Sequence, residues 1–196
     1  PCAELIENLG NYTIGDHRFL PVVFSQVVTK SQQRKEVLRM AKYEIKLEHL
    51  CELEGYVTQP IPVGPGSWGT RLIFPVVKGT VSGPKLKGKV RDFGADWGIL
   101  RADNCFELDV RIVIETDDGA LIHTHYSGII DMTKEQVDMF LAGNLPKGLN
   151  LYTTPRFETS HEKYQWLNRI QAVGRGSVEP EGDLFKVSYS LFVLSG

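Results

Sequence analysis

The stretch LDVRIVIETDDGALIHTHYSGII (Leu108–Ile130) decides how this chain is read. Two runs rich in β-branched residues flank Thr116-Asp117-Asp118-Gly119-Ala120, and an Asp-Gly pair between alternating apolar runs is a strong hairpin signal. A two-residue loop at Asp118-Gly119 predicts a register in which Glu115 faces Ile122, Arg111 faces Tyr126 and Asp109 faces Gly128. One side of the ribbon then carries Asp109, Arg111, Val113, Glu115, Ile122, Thr124 and Tyr126. The other carries Leu108, Val110, Ile112, Ile114, Leu121, His123, His125 and Ile129.

Working outward, more short strands appear between turn residues. Lys42–Val57 alternates at Tyr43, Ile45 and Leu47 and changes phase near Leu50, which predicts a bulge or bend. Thr80–Val90 reads as two strands around a Gly83-Pro84 corner. Strands are also expected near Leu151–Phe157, Gln165–Arg175 and Leu184–Leu194, with a turn at Glu179–Gly182. Two segments read as helices: Ser31–Ala41, and the run opened by the capping box Thr133-Lys134-Glu135-Gln136 and stopped at Gly143. The expected fold is mainly β: a single antiparallel β-barrel over residues 42–196 with one or two short helices. Residues 1–41 form an N-terminal extension, an arm plus a short helix.

Composition narrows the function. The chain has 196 residues, 42% hydrophobic and 23% charged, so a core can form without metal or disulfide support. With 22 Lys and Arg against 24 Asp and Glu, no basic excess points to nucleic acid, and no apolar run reaches the roughly 20 residues of a membrane helix. Walker, dinucleotide-binding and Gly-x-Ser-x-Gly patterns are missing, so no cofactor is expected. His123-Thr124-His125 places two imidazoles on one strand face without a third ligand, and no metal site is expected. Cys2, Cys51 and Cys105 share no C-x-x-C spacing, and Asn11-Tyr12-Thr13 matches a glycosylation acceptor. The compartment stays open on these grounds, with a lean to a secreted chain glycosylated at Asn11.

Several stretches jointly resemble the domain of unknown function 3237 family (uncharacterised protein family 0311). They are Phe74-Pro75 through Gly79-Thr80 with Ser82-Gly83-Pro84, Gly94-Ala95-Asp96-Trp97, and Leu108-Asp109-Val110-Arg111 with Thr116–Ile122. Thr154–Thr159, Tyr164–Arg169 and Val173–Gly176 complete the set, in the family's order. The resemblance covers roughly residues 42–194 and implies an antiparallel barrel with a central cavity but no agreed activity. Tyr126 stands where the family more often has a short polar residue.

Periodicity alone would bury the aliphatic side of the Leu108–Ile130 ribbon. The resemblance turns the polar side inward, because Asp109 and Arg111 match its motif. On that reading Asp109 is a base, Arg111 and Arg156 stabilise oxyanions, and Tyr126 is an acid. Trp68, Trp97, Thr124, Glu158, Trp166 and Asn168 complete a ligand-binding set, with Arg156/Glu158 and Trp166/Asn168 each sharing a strand face. Val110, Ile112 and Ile114 would then lie outside, needing cover from the Thr133 helix or from a homodimer. The function expected is that of a cofactor-independent enzyme, an isomerase, lyase or cyclase. It would act by proton transfer on a polyketide- or terpenoid-like molecule, by isomerisation, dehydration or cyclisation, including a pericyclic Diels–Alder-type step. The expected partner is an apolar or aromatic small molecule, not nucleic acid or membrane. The alternative is a non-catalytic, lipocalin-like carrier using the same cavity.

Overall fold

A computed structural model describes residues 43–196. Asn11 and the expected Ser31–Ala41 helix lie outside the described residues.

Ten strands form one antiparallel sheet: β1 (Lys46–Val57), β2 (Ile61–Gly66), β3 (Gly69–Ser82), β4 (Gly88–Val90), β5 (Ala95–Leu100), β6 (Cys105–Thr116), β7 (Leu121–Asp131), β8 (Leu151–Glu158), β9 (Ala172–Glu181) and β10 (Leu184–Ser195). The order runs β1-β10-β9-β8-β7-β6, continues through the short β4 and β5 to β3, and closes by pairing of β3 with β1. Closure leaves an inside and an outside, so alternation along each strand decides which side chains are buried.

Local chemistry explains several elements. The phase change near Leu50 is a bulge: the β1–β10 register shifts between His49 and Cys51, and Leu50 and Cys51 are both buried. Helix α1 (Lys134–Leu141) starts at the capping box, where the Thr133 hydroxyl accepts the Gln136 N–H and the Gln136 side chain accepts the Thr133 N–H. One expectation changes. The strand expected from Gln165 instead begins with a 3-10 helix over Glu162–Arg169, and β9 starts at Ala172.

The largest correction concerns the Leu108–Ile130 ribbon. Glu115 pairs with Leu121, Arg111 with His125, Val110 with Tyr126 and Asp109 with Ser127. The loop has three residues rather than two. Thr116 and Ala120 close it: the Thr116 N–H donates to the Ala120 carbonyl (2.9 Å), and the Ala120 N–H donates to Thr116 Oγ1 (2.9 Å). Gly119 at φ 85° then supplies the left-handed residue that ends such a loop. One residue of slip carries the whole of β7 to the opposite face. Tyr126 turns inward beside Val110, while Asp109 and Arg111 stay outside with His123 and His125.

The interior has two unlike ends. At one, Leu50, Leu86, Ile114, Ile122, Leu167 and Leu191 are almost wholly buried. Tyr164 and Leu167 of the 3-10 helix plug this end. They are held there as Asp118, in the β6–β7 turn, accepts from Thr116 Oγ1 (2.6 Å), Lys163 Nζ (2.5 Å) and the Tyr164 hydroxyl (3.0 Å). At the other end the strands enclose open space beneath α1 and the loop after it.

Candidate functional site

The open end is a cavity of about 90 Å3, several times what one water needs. Its walls come from inward positions of β1, β3, β6, β8 and β10, among them Phe74, Leu108, Val110, Leu151 and Phe185, with Met132, Phe140, Leu145 and Leu149 across the mouth. Three lining residues can exchange protons: Asp96, Tyr126 and Tyr189. No Lys, Arg or His is among the lining residues.

Register places each of the three. Asp96 on β5 sits between Phe74 and Val110, both of which face the cavity, so alternation sends its carboxyl inward. Tyr126 is paired with Val110 on β7, and Tyr189 lies on β10 between the inward Val187 and Leu191. The two phenol rings meet edge to face, with centroids 5.7 Å apart.

Around Asp96 the β5–β6 ladder is interrupted. Asp96 pairs with Val110 and Ile99 with Glu107, but the positions between do not pair. Asp96 Oδ1 accepts the Asp109 backbone N–H (2.9 Å), and the Trp97 carbonyl accepts from Arg71 Nη1. One carboxylate oxygen is thus anchored to the wall. Burial pushes the Asp96 carboxyl up to about 7; the Asp109 charge adds to this, while the Asp109 N–H and Arg71 pull it down. Burial also raises both phenols well above the ordinary tyrosine range, and the Asp96 charge adds to the rise. A carboxyl poised between neutral and ionised near neutral pH, in an apolar chamber with no cationic side chain in its lining, can accept and return a proton.

Of the residues singled out in the sequence, Tyr126 lines this cavity. Asp109 and Arg111 form an outer-face ion pair (2.9 Å), with His125 Nε2 3.2 Å from the same carboxylate oxygen and Trp97 stacked under the Arg111 guanidinium at 5.5 Å. Arg156 is exposed opposite His125 on that face, and Glu158 lies 3.9 Å from His123. Trp68 is 80% exposed on the β2–β3 hairpin. Trp166 lies at the plugged end with Lys85 over its ring, and Asn168 bonds the Thr159 N–H and C=O (2.9 Å each). Thr124 is fully buried across from Ile112, outside the cavity lining, and its hydroxyl has no partner. The expected facing of Asp109, Arg111 and Arg156 is therefore corrected: the aliphatic face is the inner one, as burial of apolar area demands.

The sequence pattern singles out neither Asp96 nor Tyr189. In Gly94-Ala95-Asp96-Trp97 alternation allows only one of Asp96 and Trp97 inside; the aromatic is the more conspicuous of the two, and the acid is the one that faces the cavity.

The family model described as "Protein of unknown function (DUF3237)" matches residues 45–194. A UPF0311 protein of Clostridium acetobutylicum is 34% identical over 146 residues, covering 73% of this chain and 92% of that protein. Among solved structures, a beta-barrel like protein of Acinetobacter baumannii is 33% identical with a TM-score of 0.62, covering 79% of this chain and 99% of that one. A structure described as an enzyme from Penicillium herquei is similar at a TM-score of 0.56 and 20% identity, over 79% of this chain and 98% of that one; at that identity the likeness is one of fold. With its ring of antiparallel strands and a family match along nearly the whole barrel, this chain is a member of the DUF3237 family.

Proposed function

We propose that the protein is a cofactor-independent enzyme that moves a proton on a polyketide- or terpenoid-like small molecule inside the barrel. The outcome would be isomerisation, dehydration or cyclisation. In this reading Asp96 is the acid–base group. Its carboxylate takes a proton from an acidic C–H or O–H beside a ligand carbonyl, and the acid so formed returns a proton to another atom of the same ligand. A hydroxyl of Tyr126 or Tyr189 donates to the developing oxyanion, the role first given to arginines. The apolar walls exclude water and keep the exchanged proton on the ligand.

The observation that carries this reading is one carboxyl, held near pH 7, in a chamber otherwise lined by apolar and aromatic side chains. The same apolar lining favours the rival, a lipocalin-like carrier, and one experiment separates them. Incubated in D2O with 2-tetralone, a neutral aromatic ketone with acidic C–H bonds, the protein should speed deuterium incorporation, read by proton NMR. The rate should rise through about pH 7 as Asp96 ionises and fall at least a hundredfold in Asp96→Asn, which keeps an acceptor for the Asp109 N–H. An undiminished rate in Asp96→Asn would remove Asp96 from the chemistry. Binding of 2-tetralone without faster exchange would leave the carrier.

A further inference from the structure

The cavity is too small for the ligand the barrel is proposed to hold. It measures about 90 Å3, whereas an engineered apolar cavity of about 150 Å3 takes up benzene or xenon, and pockets for drug-sized ligands run to roughly 300 to 1,000 Å3. Something must leave for a ligand to enter.

Two ends are available to move, and their construction differs. The plugged end is tied to the strands by hydrogen bonds: the Tyr164 hydroxyl and Lys163 to Asp118, and Thr159 Oγ1 to the Leu121 carbonyl (2.8 Å). The covered end is not. Among the described residues, the hydrogen bonds of residues 133–149 stay within 133–150: the capping box, Lys134 to Asp138, Gln136 Nε2 to the Lys147 carbonyl (3.2 Å) and Asn150 to the Gly148 carbonyl. The segment is tied to its neighbours at its ends, where the Met132 N–H donates to the Asn104 carbonyl and Arg175 to Asn150. Between those anchors it rests on apolar contacts alone, with Val137, Pro146 and Leu149 buried and Met139 and Leu141 exposed. Gly148, at φ +73° with open space around it, sits at the rear hinge. Internal bonds make the segment move as one piece; missing bonds to the barrel let it leave.

One side chain of this lid occupies the slot itself. The Phe140 ring lies nearly parallel to Phe74 (centroids 6.4 Å apart, 25° between planes) and edge to face with Phe106 (5.7 Å, 75°). Phe74 and Phe106 line the cavity and face each other edge to face (6.0 Å). An aromatic slot built by the barrel is thus filled by a ring on its lid. We infer that Phe140 holds the place of the ligand: the lid over 133–149 swings outward, and an uncharged planar aromatic ring takes the position of Phe140 against Phe74 and Phe106. This rests on the cavity being the ligand site. The ligand is uncharged because no cationic side chain lines the chamber to receive a carboxylate or phosphate, while Asp96 would repel one.

The test uses the whole protein and 2-naphthol as the probe, with 2-naphthoate as its anionic counterpart. Phe140→Ala should bind 2-naphthol at least tenfold more tightly than the unaltered protein, Phe140→Leu should fall between, and Met139→Ala should not differ. 2-Naphthoate should bind none of them measurably. In the unaltered protein, saturating 2-naphthol should make the amides of 134–142 exchange with deuterium faster, because a displaced lid loses its cover; a lid closing over its ligand would slow them. Slower exchange, equal affinity in all variants, or a Met139→Ala gain matching that of Phe140→Ala would overturn the inference. If 2-naphthol binding then still responds to Asp96→Asn, the chamber stands and only the lid falls. Failure of every variant to bind 2-naphthol would overturn both.

Discussion

The two ends of this barrel are built from the same strands and differ in what fills them. Toward the β6–β7 turn, aliphatic side chains and the 3-10 helix pack solid, and Asp118 ties that plug to the turn. Toward α1, bulky aromatics line the walls and leave a void, one carboxyl is buried in a lining that holds no cationic side chain, and the cover is bonded to its neighbours at its ends alone. Packing is complete at the first end and incomplete at the second, where the titratable carboxyl lies.

Truncation should expose this contrast most strongly. Ile122→Ala at the plugged end should lose about 2–5 kcal/mol in urea unfolding, the usual cost of a new cavity in a filled core. Ile130→Ala, on the wall of the existing void, should lose clearly less, since its side chain already lacks partners on one side. Equal losses would mean that the two ends are packed alike.

Charge should separate them next. Asp96 binds protons more tightly folded than unfolded, its carboxyl rising from 3.8 to about 7. Between those values the folded state holds more protons, so stability should fall as pH rises from about 4 to 7 and then level off, by a few kcal/mol at most. Asp96→Asn should flatten that slope and be more stable than the unaltered protein at pH 8. Asp118 does the reverse. Lys163, followed by Thr116 and Tyr164, holds its carboxyl well below the usual range, so its contribution is present at neutral pH and is lost as pH falls through the acid range. Asp118→Asn should therefore weaken acid sensitivity and loosen the plug, seen as faster amide exchange over 162–169.

Gly98→Ala probes the wall between them. An added Cβ would lie 2.2 Å from the Phe106 ring, so the ring must shift, at about 1–3 kcal/mol, and the aromatic slot with it. Weaker 2-naphthol binding should accompany the loss of stability. The smallest effect is expected at Thr124→Val. The buried hydroxyl has no partner, so replacing it with a methyl should be neutral or stabilising by less than about 1 kcal/mol.

Much of the architecture was legible along the chain. The bulge near Leu50, the capping box at Thr133 and the strands over 151–157 and 184–194 all follow local rules of alternation and capping, and local rules survive folding. The candidate site was not legible in the same way. Tyr126 was placed in the cavity, but beside the wrong partner and on a ribbon turned the wrong way. The Asp-Gly pair permits loops of two or three residues; here Thr116 and Ala120 close a loop of three, and Lys163 and Tyr164, more than forty residues downstream, bond the Asp118 carboxylate within it. Trp166 and Asn168 were placed on a strand because nothing local announces that residues 162–169 will coil into a plug.

What the amino-acid order determined unaided was a closed β-fold with an apolar interior, because alternation and turn chemistry act over a few residues. Which carboxyl faces that interior was settled only by tertiary contacts. Alternation on β5 allows either Asp96 or Trp97 inside, and pairing of Asp96 with the inward Phe74 of β3 and Val110 of β6 is what turns the acid in. Energies able to choose between those states arise where distant segments meet.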